Sequence, residues 1–552
     1  MELIQKLNYK DLPGFSRLFR EYQYEFDNLR EFYPAGNPRD FGSYQKHAQS
    51  ILASGHPRAE VVSVLNEQNR NWGAHENALD NLQTLNEPDC LAIVTGQQVG
   101  IFGGPLFTLY KALTTIQLSN TLNREYGLKT IPIFWLATDD HDLKEIMSAT
   151  CIDREGNLKG IALDLKSYPE GIPAGQAILN EDIGQAIQDV LEGIPETEFK
   201  TALRERLCEA YHPGRTASDA FALWMIPYLS SLGLVFMDGA DPRLKRLGKK
   251  VFIREIQEKS PSTRAVMEAS SRLVKNGYHT QLTQREDGCN LFLHSPGRKA
   301  MKQEGEHWII SGENTLRDTD SLIEQIRKAP EFVSPNVVLR PVYQDTLLPT
   351  LAYVSGPSEL AYYAQLGGVY ENFNRVMPFI FPRAGLTLLE NRIARNMQKL
   401  GIQMTDSLGN IETVITDLLK QSLPSELEQD FNLLSTGINQ FNSLMKKNIQ
   451  EWDPTLVNAV ETTCNSMKHN LEQLNKKIIA AHKKKNDIVR QQIYRTFIHI
   501  HPAGMYQERV FNMIPYLCKY GPGLVKDLLN IIDVSDPEHR VVIVGQREGE
   551  RS

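Results

Sequence analysis

Three carboxylates and an imidazole occupy four consecutive positions, Asp139, Asp140, His141 and Asp142, directly after the apolar run that begins at Pro132. Three carboxylates and an imidazole packed this closely repel one another and can shift one another's pKa values. Acid–base chemistry and magnesium binding both use that property. Side chains at the carboxyl end of a strand in an open α/β sheet face the ligand, so a strand over Ile131–Ala137 would deliver these four to a binding site. The same residues also suit a helix start, with Asp139 or Asp140 as N-cap and the others solvated.

A second constellation lies in Leu91–Thr115, where the apolar run Leu91–Val94 breaks into a glycine-rich turn before Pro105 opens a helical pattern. Glycine lets the backbone approach a ligand closely and take positive φ, and a helix start offers unpaired N–H groups to an anion such as a nucleotide phosphate. Thr95, Gly96, Gln97, Gln98, Gly103 and Gly104 are the candidates on this loop. Its spacing is neither GxxxxGK[ST] nor GxGxxG, so a tight connection without a ligand is the competing reading. Three further strand ends carry polar groups. Leu234–Met237 runs into Asp238, which could hold ribose hydroxyls or cap a helix, with Asp241 before Pro242 the better cap. Leu351–Val354 runs into Ser355, Gly356 and Ser358, a second anion cradle in which Ser358 could equally be an N-cap. Pro378–Phe381 runs into Arg383, a fixed cation suited to phosphate or carboxylate.

These positions demand a sheet whose strands end together. The five apolar runs, separated by helical stretches, predict an α/β fold with a parallel, doubly wound core over 86–385. The long intervals predict inserted connecting segments at about 150–230 and 245–335, with hairpins or loops within Gln284–Glu306. Residues 1–85, with aromatics at helical spacing, read as a helical lead-in. Over 386–510 the chain is helical. Leu427, Phe431, Leu434, Ile438, Phe441 and Met445 form one heptad stretch. Val457, Val460, Cys464, Met467, Leu471, Leu474, Ile478, Ala481 and Ile488 form another, with Lys485 in the seam. Ser425 with Glu428 reads as a capping box, Asp453 with Pro454 as the second helix start, and Lys483–Lys485 as a solvated face. The second stretch would reach roughly 48 Å, an arm suited to a homodimer. Residues 511–552 read as a tail packing on the core. His499 and His501 lack a third ligand nearby, so no metal site is read there.

The chain has 552 residues, 41% of them hydrophobic, enough for several cores. A net charge of -7 argues against a nucleic-acid surface. Six cysteines without CxxC spacing fit a reducing cytoplasm, and no run is apolar enough for a membrane span or a signal peptide.

TGQQVGIFGGPLFTLYKA at Thr95–Ala112, PIFWLATDDHDLKEI at Pro132–Ile146, LRPVYQDTLLPTLAYVSGPSELAYYAQL at Leu339–Leu366 and PAGMYQERVFNMIPYLCKYG at Pro502–Gly521 resemble the motifs of the BshC family, the cysteine-adding enzymes (cysteine ligases) of bacillithiol biosynthesis. The resemblance runs to about Ile532. It implies a Rossmann-like core related to class I nucleotidyltransferases, inserted connecting segments and a coiled-coil dimerisation domain. It also implies a ligase joining L-cysteine to glucosaminyl malate, and it places Arg340, Gln344 and Asp345 in a characteristic motif. Amide formation needs an activated carboxyl, so ATP or a related nucleotide, with Mg2+, is the expected cofactor. The loop at 95–104 would hold its phosphates, the acid cluster would take the amine's proton, and Arg340 or Arg383 would stabilise charge. The alternatives are a non-catalytic nucleotide- or metabolite-binding dimeric scaffold, and a ligase acting on another amino sugar.

Overall fold

The computed structural model describes residues 1–552 apart from 295–296, 314, 406–410, 422–424, 486 and 546–552. The chain divides into two compact units, one of residues 1–388 with 507–552 and one of residues 389–506.

At the centre of the first unit is a parallel sheet of β1 (Leu91–Gln97), β2 (Thr130–Leu136), β3 (Val235–Asp238), β4 (Thr350–Ser355) and β5 (Phe379–Pro382), in the order β5-β4-β1-β2-β3. Helices cover both faces, which is why these strands read as continuous apolar runs instead of alternating ones. The chain winds outward from β1 through β2 to β3, then crosses back to β4 and β5. The order therefore reverses between β1 and β4, and a doubly wound sheet opens a crevice there at its carboxyl edge. Register aligns that edge: Thr95 lies beside Val354, Gln97 beside Leu136, Leu136 beside Asp238 and Ser355 beside Pro382.

Helix α1 (Leu106–Tyr126) connects β1 to β2 and is buried on most of its circumference, because the sheet packs on one side and helices Gln507–Val510 and Leu524–Ile531 pack on another. It ends at Gly127, whose φ of 63° is the left-handed cap that glycine adopts without penalty. The connection from β2 to β3 carries the hairpin Ser148–Ile152/Leu158–Ala162 and four α-helices, from the single turn Leu143–Ile146 to Ala217–Leu229, which leads into β3. The connection from β3 to β4 carries α2 (Pro242–Gln257), an antiparallel sheet that includes the hairpin Gly288–His294/Arg298–Glu304, and α3 (Arg340–Leu347). After β4 comes the short helix α4 (Pro357–Tyr363). The expected helical lead-in opens instead with a strand, Glu2–Leu7, paired antiparallel with His539–Val544. Its partner lies at the far end of the chain, so no local pattern announces it.

In the second unit, α5 (Ser425–Trp452) and α6 (Val457–Lys485) form an antiparallel hairpin. Asp453 caps the single turn Pro454–Leu456 ahead of α6, accepting the Thr455 N–H at 3.0 Å. Cys464 is buried in the seam, whereas Leu434, Phe441, Met467 and Leu474, also read as seam residues, are exposed. Phe431, Ile438, Met445, Leu471 and Ile478 are half-buried, so each helix turns one line of its apolar positions into the hairpin and leaves the other outward. The side chains of Ser425, Glu428, Lys483–Lys485 and Ile488 lie outside the described residues. Among the described residues no helix is long and apolar enough to cross a membrane.

Candidate active site at the strand ends

A cavity of about 530 Å³ opens at the carboxyl edge where the strand order reverses. Small-molecule sites are typically ~300–1,000 Å³. Its wall takes Gly96, Gln97 and Gln98 from β1 and the turn after it, Trp135 to Asp140 from β2 and the turn after it, Tyr353 and Gly356 to Glu359 from β4 and the start of α4, Arg383 after β5, Phe292 and Arg298 from the second insertion, and Arg340 from α3.

At the β1–β4 side stands Lys111, on α1 and 1% exposed. Its three N–H donors meet three acceptors: the Gly96 carbonyl at 2.5 Å, Gln97 Oε1 at 3.2 Å and Glu359 Oε2 at 2.5 Å. Burial disfavours its charge and lowers its pKa, against the pull of Glu359. Burial would raise Glu359, but Lys111 and the Gly356 N–H outweigh that and hold the carboxyl below its ordinary range. The pair thus stays ionised. Glu359 accepts from Gly356 N–H at 2.7 Å and from Tyr353 Oη at 2.8 Å, closing the start of α4.

Arg340 stands beside this pair at the first position of α3, over the Tyr353 ring at 5.1 Å. Its Nη1 donates to Gln344 Oε1 at 2.8 Å, whereas its Nη2 is buried with no hydrogen-bond partner among the described residues. Gln344 and Asp345 are buried and do not reach the cavity wall. Gln344 donates to Asp345 at 2.8 Å, Tyr370 Oη donates to Asp345 at 2.5 Å, and burial pushes Asp345 up to about 6. The two support Arg340 from behind. Arg383 is matched by buried Glu508 through two bonds, 2.9 and 2.6 Å, so its charge is already compensated.

At the β2 side the acid cluster divides. Asp139 pairs with Lys245 Nζ at 2.8 Å, and that lysine, 1% exposed on α2, also donates to the Val333 carbonyl at 2.8 Å. Asp140 accepts from Gln98 Nε2 at 2.5 Å and from the His141 N–H at 2.7 Å. Asp142 caps helix Leu143–Ile146 through the Glu145 N–H at 3.2 Å, so the capping role falls to it and not to Asp139 or Asp140. Neither His141 nor Asp142 lines the cavity, whereas Glu145 does, with its pKa raised by burial and then by Asp142 and Asp140.

The glycine loop also divides. Gly96 lies tight between strands, where a Cβ would stand 3.2 Å from the Trp135 carbonyl. Thr95 donates from Oγ1 to the Val354 carbonyl at 2.8 Å, tying β1 to β4. Gly103 and Gly104, expected at the phosphates, stand outside the cavity. Both have positive φ, and a Cβ on Gly103 would come within 2.8 Å of Met225 Sδ. The Leu106 N–H at the start of α1 donates to the Phe511 carbonyl at 2.7 Å. These glycines serve turn geometry and packing. Asp238 is likewise removed: it accepts from Thr138, Ser218 and the Ala240 N–H and lines a separate cavity of about 350 Å³, and burial pushes its pKa up to about 6. Gly356 and Ser358 line the main cavity, and Ser355 Oγ is buried without a partner among the described residues.

Lys111, Glu359, Glu145, Lys245 and Arg298 were not among the sequence candidates. Lys111 carried a signal, being a lone cation in an otherwise apolar helical turn, LYKAL. Lys245 sits in the basic run RLKRLGKK and is indistinguishable there from its exposed neighbours.

The topology and the cavity define a Rossmann-like α/β protein with a cavity of small-molecule size at its switch point and a helical hairpin unit. The family model "Bacillithiol biosynthesis BshC, N-terminal Rossmann-like domain" matches residues 2–384, and its "C-terminal coiled-coil domain" counterpart matches residues 386–544. The chain belongs to the BshC family of bacillithiol biosynthesis. It is 34% identical to a protein of Salinibacter ruber over 96% of this chain and 97% of the relative. It is 32% identical to one of Chlorobaculum tepidum, again over 96% and 97%. Both are named "Putative cysteine ligase BshC". A solved structure titled "putative arginyl t-RNA synthetase" from Campylobacter jejuni aligns over 82% of this chain and 97% of that chain at 11% identity with a TM-score of 0.21, too low to carry an argument.

Proposed function

We propose that this chain is a cysteine ligase that joins the carboxyl of L-cysteine to the amine of glucosaminyl malate. The observation that carries the reading is the division of one cavity into two ends. One end has a buried guanidinium nitrogen of Arg340 without a hydrogen-bond partner among the described residues, beside the charged Lys111–Glu359 pair. The other has three carboxylates, Asp139, Asp140 and Glu145, against two cations, Lys245 and Arg298. An anion fits the first end and an amine the second.

ATP or a related nucleotide fits the cationic end through Arg340, beside Gln98 and Ser358, which line the same cavity. Such a group would supply the phosphoryl or adenylyl unit that makes a carboxylate an electrophile. The chain's own part is positioning and charge. Arg340 binds the anionic oxygens and stabilises charge that develops there. Gln98 fixes Asp140, Lys245 fixes Asp139, and one of these carboxylates accepts the amine's proton as the amide forms. Mg2+ would enter with the phosphates. The exposed apolar positions of α5 and α6 support a homodimer formed through the hairpins.

The test is incubation of the purified chain with cysteine, glucosaminyl malate, ATP and Mg2+, followed by mass spectrometry. Formation of the cysteinyl amide is expected, and Asp139→Asn should reduce its rate by about 100-fold or more. No product with any nucleotide donor, or full activity in Asp139→Asn and Asp140→Asn alike, would defeat the assignment.

A further inference from the structure

The hairpin of the second insertion sends one guanidinium, Arg298, against the acid loop. Its side chain is 7% exposed. Nε donates to Ser334 Oγ at 3.2 Å, Nη2 donates to the Pro335 carbonyl at 3.1 Å, and the group lies 3.9 Å from the Phe292 ring centroid. Held on these three sides, Nη1 reaches 3.1 Å from His141 Nδ1 and 3.4 Å from Asp140 Oδ1. A guanidinium has donors only and keeps its charge in proteins. At 3.1 Å, Nδ1 must therefore present its lone pair, since two N–H groups facing one another would repel. The competing contact, from Nδ1 to Asp140 Oδ1 at 3.5 Å, would need the proton on Nδ1 and is too long for a good hydrogen bond.

We infer that Arg298 is a positioning residue that holds His141 as the neutral tautomer with its proton on Nε2. The consequence for chemistry rests on the ligase reading above. An imidazole with Nε2 protonated and Nδ1 engaged by a fixed cation gives a hydrogen bond but has no free site for a proton. His141 therefore cannot take the proton leaving the attacking amine, which goes instead to a carboxylate that lines the cavity, Asp139 or Asp140. The insertion thus removes the imidazole from the candidate bases of the cluster.

The decisive measurement is spectroscopic and needs no turnover. The full chain is labelled with 15N in its histidine rings, long-range proton–nitrogen correlations are recorded at pH 8, and His141→Gln identifies the resonance. The wild type is expected to show His141 with a protonated Nε2 and an unprotonated Nδ1. Arg298→Met should convert this into a mixture of tautomers. Arg298→Lys, which keeps the charge but cannot reach Ser334, Pro335 and His141 together, should do the same. A wild-type His141 with its proton on Nδ1, or averaging between tautomers, overturns the inference even if both variants misfold. So does an unchanged pattern in a folded Arg298→Met. Failure of the ligase assay leaves this result standing, and the reverse also holds.

Discussion

Replacing Lys111 with methionine keeps the aliphatic stem that fills α1's contact with the sheet and removes only the charged head. Glu359 then stays ionised with two neutral donors, the Gly356 N–H and the Tyr353 hydroxyl, and the Gly96 carbonyl loses its side-chain donor. Removing one partner of a buried ion pair costs about 3–5 kcal/mol. An orphaned buried acceptor costs about 1–3 kcal/mol, but both losses come from one nitrogen and do not add in full. The Glu359 side chain is 22% exposed and retains two hydrogen bonds, which places the expected loss near the low end, about 3 kcal/mol. Urea unfolding followed by the fluorescence of buried Trp135 and Trp224 reads it. The double variant Lys111→Met/Glu359→Gln should recover at least about 1 kcal/mol, because the unpaired charge is gone. Acid sets a further check. The pKa of Glu359 is lowered on folding, so the stability it contributes is present above the ordinary carboxylate range and is lost as pH falls through its folded value. Wild type and Lys111→Met should converge there. A loss under about 1 kcal/mol at pH 7, or a double variant no better than the single, would refute the reasoning.

Gly103→Val should cost about 3 kcal/mol or more, from a β-branched residue at positive φ and a clash with Met225 and Trp224. Thermal melts should fall while calorimetric nucleotide affinity of the folded fraction is unchanged; the opposite pattern would return this glycine to the ligand. The pKa of Asp238 is raised to about 6, so its contribution is fullest below the unfolded carboxylate range and is lost as pH rises through about 6. Asp238→Asn should therefore be more stable than wild type at pH 8, by up to about 2 kcal/mol, and no more stable at pH 4, in urea titrations at the two pH values. Leu471→Glu with Leu474→Glu should convert a dimer into monomers in sedimentation at micromolar concentration, whereas Lys476→Glu should leave it intact; a monomeric wild type would refute the dimer.

The five core strands were legible because a strand buried on both faces is a short apolar run, and each one here ends in an abrupt polar change. The same change announced the acid cluster. What the sequence withheld was the direction of each side chain. Asp139 and Asp140 face the cavity, but Asp142 turns away to cap a helix, and the cations that sort them, Lys245 and Arg298, come from more than a hundred residues downstream. Glycine at 103 and 104 signalled positive φ but not its purpose, since a packed indole demands a missing Cβ as firmly as a phosphate does. Heptads specified a seam but not how many helices share it, which decides whether Leu474 is covered. The strand at Glu2–Leu7 had no local signature, because its stability comes from a partner at the other end of the chain.

That pairing of the two chain ends has a consequence for synthesis on the ribosome. Helix α1 and the strand at residues 2–7 emerge early, yet the helices and the strand that cover them lie beyond residue 506. Residues 389–506, the whole of the second unit, must be translated in between. At roughly 5–20 residues per second that delay is on the order of 6–25 s. Throughout that interval the nascent chain displays an apolar helix flank and an unpaired strand, both of which invite chaperone capture. Completion of the first unit is thereby tied to the segment beyond residue 506, and a chain released early at about residue 506 would carry most of the cavity wall on a core that cannot close.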